Sequence, residues 1–371
     1  MSGCSARWLR GAAGAIMIVA AFGLAGAVQA EPALRSLKIG VGTLALNATY
    51  PWVMMPPVLG YWKEEGYDVQ VFAANNSLQA IQLMAAGNVD MVEVNTGPLM
   101  QAAADNGVAI RAIMVNTVID WSLIALESGP LKSIADFKGK TVGVSSLGTG
   151  GVALLKSYAA ANGLNPETDI TFVAVGVGPS ALETLRSGRV DGLMYWGSAI
   201  TSFEVTGLKF RYFFDPQWRK YPDFSLTTLQ STIEKDPKMV EGIIRGAAKA
   251  SLFAMTNPEC VRKLHWARYP DTKPTGADEA KLIKDELARI KGQQDGMQQA
   301  LDMGGGKLWG NVSAQDFARL QDFFLDTKVI KAKVVDPAKY MIEVPSFFEK
   351  VNTFDHAAVV KQAEECRADA K

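Results

Sequence analysis

TVGVSSLGTGG, residues 141–151, is the stretch on which the reading of the fold turns. A short apolar run, Thr141–Val144, ends in Ser145 and Ser146, turns through glycines and enters a helical pattern from Val152. A strand that feeds a helix through such a turn leaves the first N–H groups of the helix without intrahelical partners. Together with the positive end of the helix dipole, they form a small site for an anion or a carbonyl oxygen. The hydroxyls of Ser145, Ser146 and Thr149 add donors and acceptors beside it.

Working outward, the strand–helix alternation continues on both sides. Downstream, a strand over Ile170–Val175 leads through Gly178-Pro179-Ser180 to a helix over Ala181–Ser187. Gly188-Arg189 then turns the chain into a strand over Val190–Tyr195. Upstream, Leu37–Thr43 reads as a buried strand, followed by a loop with Asn47, Tyr50, Pro51 and Trp52. Val53–Lys63 reads as helical, with Pro56 and Pro57 in its first turns or kinking it. A strand over Asp68–Phe72 precedes Asn75-Asn76-Ser77, which caps a helix running to Ala86. Val89–Val94 is the next strand; Asn95-Thr96-Gly97 caps a helix to Asp105, and Ala109–Val115 is a strand again. This alternation predicts parallel strands covered by helices.

The two halves repeat one another. Gly87-Asn88-Val89-Asp90 aligns with Gly188-Arg189-Val190-Asp191 at an offset of 101 residues. Ala80 and Ile81 match Ala181 and Leu182 at the same offset. Two copies in equivalent places imply two similar α/β lobes. Asn116–Glu127, holding Trp121, is the expected crossing between them, and Phe210–Asp215 the expected return. Such crossings act as a hinge when their ends absorb the dihedral change. Leu226–Gln230 adds a possible strand, and the chain beyond it reads as helices: Pro237–Thr256, Pro258–Ala267, Ala277–Lys291, Met297–Met303 and Ser313–Thr327.

Length and charge bound the function. The chain has 371 residues, 48% of them hydrophobic, with 38 basic and 38 acidic residues. It is long enough for two lobes, and its balanced charge excludes nucleic acid as the main partner. Arg7, Arg10, the apolar run Gly11–Val28 and the boundary Val28-Gln29-Ala30 read as a signal peptide cleaved before Glu31. Cys4 precedes the apolar run and is badly placed for lipidation. An oxidising compartment permits, without requiring, a bridge between Cys260 and Cys366. Neither His265 nor His356 has a second ligand at metal spacing.

In open α/β sheets the ligand sits beyond the carboxyl ends of the strands. Those ends offer Thr43, Tyr50, Trp52, Asn75, Ser77, Asn95 and Thr96 in the first lobe. In the second they offer Ser145, Ser146, Thr149, Tyr195 and Trp196. Neutral polar groups with aromatic rings suit a small ligand clasped between lobes. Division of labour follows: the serines and Thr149 take an acidic or carbonyl head, and the rings take a flat or apolar body. Glu93, late in an apolar strand, either faces the cleft to meet a cation or is ion-paired within its lobe; the second is preferred. Phosphate-loop, metalloprotease and nucleophile-elbow motifs are missing. The α/β region also lacks histidine, the commonest general base. No cofactor or metal is expected.

Several runs resemble a known family, the solute-binding proteins of ABC importers for nitrate, sulfonates such as taurine, and thiamine-pyrimidine precursors. Tyr61-Trp62-Lys63-Glu64-Glu65-Gly66 followed by Val69-Gln70-Val71 is similar to its F-x-x-E-G-L-x-V segment. Ile134-Ala135-Asp136-Phe137-Lys138-Gly139-Lys140-Thr141-Val142-Gly143-Val144 is similar to its I-x-D-L-K-G-K-x-V-x-V run. Ala86-Gly87-Asn88-Val89-Asp90 and Asn257-Pro258-Glu259 add shorter matches. The resemblance covers Leu37 to Ala267 and implies an α/β chain with the two-lobed periplasmic binding protein fold, type II-like. Each lobe is then a parallel-rich sheet flanked by helices, with a helical C-terminal extension. It also places the ligand at the residues just named. The implied organisation is a signal peptide over 1–30, lobe one over 31–116, lobe two over 117–215, and a return with a helical C-terminal region over 216–371. The implied role is a periplasmic, monomeric receptor delivering a sulfonate, aromatic carboxylate or pyrimidine-like solute to an inner-membrane permease. An exported two-lobed enzyme acting on a small heterocyclic or aromatic substrate is the alternative.

Overall fold

Two five-stranded mixed sheets carry the fold of this computed structural model, which describes residues 33–275 and 278–368. The signal-peptide reading of residues 1–30, Cys4 included, lies outside the described residues. Sheet one has the order β2-β1-β3-β10-β4. Its strands are β1 (Arg35–Val41), β2 (Tyr67–Ala73), β3 (Met91–Val94), β4 (Ile110–Val118) and β10 (Pro222–Leu229). Sheet two has the order β7-β6-β8-β5-β9. Its strands are β5 (Ser122–Leu126), β6 (Lys140–Val144), β7 (Ile170–Ala174), β8 (Gly192–Tyr195) and β9 (Phe210–Phe213). In each sheet one strand runs against the other four: β10 is antiparallel to β3 and β4, and β5 to β8 and β9. These are the strands entered directly after the chain crosses between sheets; sheet two is built from consecutive strands, whereas sheet one takes β10 from beyond lobe two.

The helices fill the expected connections. After β1 come three short helices, α1 (Pro51–Met54), α2 (Pro56–Leu59) and α3 (Tyr61–Glu64), where the sequence predicted one. Pro56 supplies no N–H to continue α1, and Gly60 at φ 77° ends α2. Then follow α4 (Ser77–Ala85) and α5 (Thr96–Ala104) in lobe one, and α6 (Gly150–Ala161), α7 (Pro179–Arg186) and α8 (Gly197–Glu204) in lobe two. Asn76 caps α4, its Oδ1 accepting from Gln79 N at 2.9 Å.

The repeat has a physical basis. Gly87 and Gly188 both turn the chain with left-handed backbone, φ 74° and 73°, which only glycine adopts cheaply. The aspartate that follows each turn then clamps the adjacent strand. Asp90 accepts from Lys38 N at 2.8 Å and donates its own N–H to Lys38 O; Asp191 does the same with Thr141 at 2.9 Å. The register of β3 on β1 and of β8 on β6 is set by the same device.

The first crossing is short, Ile119–Trp121 between β4 and β5. The return lies later than the sequence predicted. Phe210–Phe213 pairs with β5 as the edge strand of sheet two, and the chain crosses only over Phe214–Tyr221. The two crossings bond to each other, Ile119 N to Tyr221 O at 3.0 Å. Arg219 on the return donates to the carbonyls of Ile119 and Trp121 and to Ser122 Oγ.

The C-terminal third is helical: α9 (Gln230–Lys235), α10 (Pro237–Thr256), α11 (Pro258–Arg268), α12 (Glu279–Met303), α13 (Ala314–Asp326), α14 (Phe347–Val351) and α15 (His356–Glu364). Two predicted helices, Ala277–Lys291 and Met297–Met303, are one continuous α12. Cys260 in α11 is bonded to Cys366 beyond α15, which closes a loop across 106 residues of separation. His265 is fully buried in α11 and both its ring nitrogens lack partners, while His356 opens α15. One apolar cluster spans both sheets, from Val92 and Ile110 to Leu123 and Val142, and on into Phe317 and Phe324 of α13, with further clusters on the other faces of the sheets. Among the described residues no helix is long and apolar enough to cross a membrane.

Candidate ligand-binding cleft

Between the carboxyl ends of the two sets of parallel strands lies a cavity of about 460 Å³. Of the residues the sequence placed at a ligand, the structure gathers Thr43, Tyr50, Asn95, Ser145, Thr149 and Trp196 around it. Thr43 and Tyr50 come from the loop after β1, where the Tyr50 hydroxyl donates to Thr43 Oγ1 at 3.3 Å. Burial pushes the Tyr50 phenol up to about 12, so it stays a donor at any ordinary pH. Ser145 and Thr149 come from the turn between β6 and α6, with Thr149 as the N-cap of α6.

The other predicted residues stand one layer back. Trp52 is fully buried, edge-on to Tyr50 and Phe224 at ring distances of 6.2 and 6.5 Å, so it supports the wall rather than lining it. Tyr195 is equally buried, stacks under Trp196 at 5.6 Å and donates to Gly176 O. The Ser77 hydroxyl meets Asn95 Oδ1 and Asn95 N, both at 3.1 Å, and fixes that side chain. Thr96 spends its N–H and hydroxyl on Asp223 and Pro222. Asn75 is exposed and bonds Gln79, and Ser146 accepts from Gly148 N within its own turn. Short polar residues after strands serve capping and turn formation equally well, and sequence alone does not separate the uses.

What the sequence reading missed is the acidic part of the wall. Asp120, Trp121, Asp223, Phe224, Thr117 and Gln293 also line the cavity. Asp223 accepts four hydrogen bonds: Thr96 N at 2.8 Å, Asn95 Nδ2 at 2.9 Å, and Thr96 Oγ1 and Trp121 Nε1 at 3.1 Å. Its pKa is raised by burial, against the pull of these donors. Asp120 accepts from Gly197 N at 2.9 Å and opens onto the cavity. Burial pushes its carboxyl up to about 6, with Arg219 holding it down and Asp223 adding to the rise.

The placement is symmetric. Each aspartate lies at a crossing and caps the N-terminal end of the helix that follows β3 or β8: Asp223 that of α5, Asp120 that of α8. One of the free N–H groups that could have received an anion at each of these helices is taken by the protein's own carboxylate. Among the described residues no lysine or arginine lines this cavity. Behind it, Glu93 is fully buried and pairs with no cation, contrary to expectation. Its carboxyl accepts from Asn116 Nδ2 at 2.9 and 3.2 Å. Burial holds its pKa well above the ordinary carboxylate range; the Trp52 indole is near enough to oppose this but lacks hydrogen-bond geometry. The signal in sequence was slight: single aspartates inside the apolar runs Val118-Ile119-Asp120-Trp121 and Pro222-Asp223-Phe224.

Four rings complete the wall. Trp121 meets Trp196 edge-on at 5.4 Å, and Tyr50 meets Phe224 at 5.7 Å. The glycines of the opening stretch have a second use here. A Cβ on Gly150 would lie 2.6 Å from Asn95 Cβ, so the turn of lobe two sits directly against lobe one. The cleft has nitrogen-binding oxygens, flat apolar faces, and no cysteine, histidine or lysine among its lining residues.

This arrangement is the two-lobed fold of the periplasmic binding proteins. The alkanesulfonate-binding protein SsuA of Xanthomonas axonopodis pv. citri, solved with MOPS, superposes with a TM-score of 0.60. It is 14% identical, over 83% of this chain and 98% of that one. The desulfurization enzyme DSZB has the same fold, with a TM-score of 0.53 and 16% identity over 85% and 98% of the two chains. A sequence model described as NMT1/THI5 like matches residues 53–260, more than half of the chain, and the protein belongs to that family. The formylaminopyrimidine-binding protein of Halalkalibacterium halodurans is 23% identical over 218 residues, 57% of this chain and 64% of that protein. The chain aligns with less than two thirds of the length of the curated relatives it matches.

Proposed function

We propose that the protein is an exported, monomeric solute receptor. It binds a small, flat, nitrogen-rich solute of the aminopyrimidine kind between its lobes and delivers it to the permease of an ABC importer. The observation that carries this reading is Asp120, which keeps acceptor capacity in an aromatic-walled cavity that no cation lines. A carboxylate without a partner cation favours a cationic or N–H-bearing ligand, and charge-assisted hydrogen bonds are the strong ones. The ring faces of Tyr50, Trp121, Trp196 and Phe224 add apolar contact for a planar body. The relative in Halalkalibacterium halodurans is named for a pyrimidine ligand, which is consistent.

A sulfonate or aromatic carboxylate is the second reading, supported by the free turn of Ser145 and Thr149 at the start of α6 and by the MOPS-bound neighbour. It requires an anion to approach Asp120, a repulsion of roughly 4 kcal/mol at 4 Å and an effective dielectric near 20 when that carboxyl is ionised. An enzymatic role is disfavoured by a cavity wall with no nucleophile paired to a base.

A thermal-shift screen of the chain from Glu31 onward tests the reading, with aminopyrimidines, benzamidine, aromatic carboxylates, taurine and nitrate as ligands. An aminopyrimidine at a hundredfold excess over Kd should add about 3 kcal/mol of stability. Stabilisation by sulfonates alone would overturn the proposed ligand class.

A further inference from the structure

Helix α12 lies beyond residue 260, where the family match ends, yet it forms a wall of the cleft. Glu286, Arg289 and Gln293 fall on one face of it, at helical spacings of three and four. Glu286 and Arg289 line the outer mouth, between the loop at Ala45–Asn47 and helices α7 and α8. Gln293 lines the inner cavity with Thr43, Asp120 and Trp196. One helical face therefore follows the cleft from mouth to floor.

The helix is held against both lobes. A Cβ on Gly292 would sit 3.4 Å from Thr201 Oγ1 of α8, and one on Gly296 would sit 3.7 Å from Thr117 Cβ of β4. Both are ordinary contact distances, so the helix lies packed along α8 and β4 without needing glycine at either position. Gln294 ties the same turn to lobe one by donating to Ala254 O at 2.8 Å. Glu286 is buried and holds the Arg289 guanidinium by its Nε at 2.9 Å. Gln293 itself is 6% exposed, and among the described residues its amide has no hydrogen-bond partner. That amide opens onto the cavity.

We propose that α12 is the third wall of the binding site and that Gln293 is the residue through which it selects the ligand. The inference rests on the aminopyrimidine reading given above. A glutamine amide presents one acceptor and two donors in a plane. That pattern matches an amino group beside a ring nitrogen, the edge that Asn and Gln read on adenine. A methyl group in place of the amino group leaves only the ring nitrogen to meet, and the amide loses half of its pairing. Asp120 supplies acceptors but no donor, so it cannot read the ring nitrogen. The Gln293 amide carries both acceptor and donor in one plane and so tells an amino-substituted ring from a methyl-substituted one.

Calorimetry with 4-aminopyrimidine and 4-methylpyrimidine tests this on wild type, Gln293→Ala and Gln294→Ala. Wild type should prefer the amino probe by about tenfold, and Gln293→Ala should bind it about tenfold more weakly and lose the preference. Gln294→Ala removes a helix anchor outside the cleft and should keep the preference, which separates the amide from the mere position of α12. Unaltered affinity and preference in Gln293→Ala would overturn the inference, as would equal weakening for both probes. Loss of preference in Gln294→Ala would overturn it too, since the helix and not the amide would then be responsible. If wild type binds neither probe, the aminopyrimidine reading falls and takes this inference with it.

Discussion

Replacing Asp120 by asparagine should raise stability while lowering affinity, a combination that separates a ligand-binding carboxylate from a structural one. Asp120 is nearly isosteric with asparagine, and the Oδ1 of the amide can still accept from Gly197 N. The carboxyl is pushed up to about 6 by burial, so its ionised form is a cost to the folded state. The native state holds the proton more tightly than the unfolded chain, whose aspartates titrate near 4. Stability contributed by the protonated form is therefore present at low pH and is lost as pH rises from about 4 to 6. At 1.36 kcal/mol per unit, removing the charge recovers on the order of 1–3 kcal/mol at neutral pH, less whatever Arg219 loses. Binding goes the other way. A charge-assisted hydrogen bond is worth about 1.5–3 kcal/mol, so a cationic ligand should bind roughly 10–150 times more weakly to the variant. Wild-type affinity should also fall about tenfold between pH 7 and pH 5, as Asp120 goes from about 90% ionised to about 10%. Calorimetry with benzamidine, which stays charged throughout, isolates the titration of the protein, and thermal melts measure stability. If Asp120→Asn binds benzamidine with wild-type affinity and the same pH slope, the carboxylate does not face the ligand and the reasoning fails.

Three further perturbations are informative. Cys260→Ala, or reduction, opens a loop of about a hundred residues and should cost about 2–5 kcal/mol in chemical denaturation; an unchanged midpoint would mean that the bridge stabilises nothing. His265 is fully buried and its pKa is lowered to about 4, so stability is intact above pH 6.5 and falls by about 3 kcal/mol as pH drops to 4. His265→Phe should flatten that limb in pH-dependent melts, and an unchanged limb would assign acid unfolding elsewhere. Gly150→Ala drives a methyl group into Asn95, so X-ray scattering should show a larger radius of gyration and calorimetry a weaker affinity; wild-type values for both would mean the turn gives way without parting the lobes.

The fold was legible because its connections repeat. Gly87-Asn88-Val89-Asp90 and Gly188-Arg189-Val190-Asp191 mark the same glycine turn and aspartate clamp in both lobes, and a local motif is visible in a local reading. The antiparallel strands were not legible as such. Pro222–Leu229 pairs with β3 and β4 far back in the chain, Ser122–Leu126 pairs with β8 and β9 later in its own lobe, and periodicity carries no direction. The sequence reading ended one helix at Lys291 and began another at Met297, whereas the structure has one helix packed along α8 and β4. In the cleft, strand ends identified Thr43, Tyr50, Asn95, Ser145, Thr149 and Trp196 as residues that meet. The strand-end rule could not reach Asp120 and Asp223, because both stand where the chain enters a strand after crossing.

That position decides the electrostatics of the site. An open α/β cleft begins with helix N-termini aimed at the ligand, a field that favours anions. Here the chain returns through each crossing with an aspartate that reaches one of those termini first: Asp223 at α5 and Asp120 at α8. The two differ in what remains. Asp223 is saturated by four donors and fixes Asn95 and Trp121, whereas Asp120 is bonded to one backbone N–H and keeps acceptor capacity for the cavity. A ligand that donates to Asp120 therefore binds at the connection between the sheets, where the crossing that carries Asp120 meets the return that carries Arg219. Arg219 has no carboxylate within salt-bridge distance among the described residues, so it lowers the cost of ionising Asp120 without neutralising it by contact. Selection by charge would thus reside in the crossings, and selection by shape in the rings that each lobe presents.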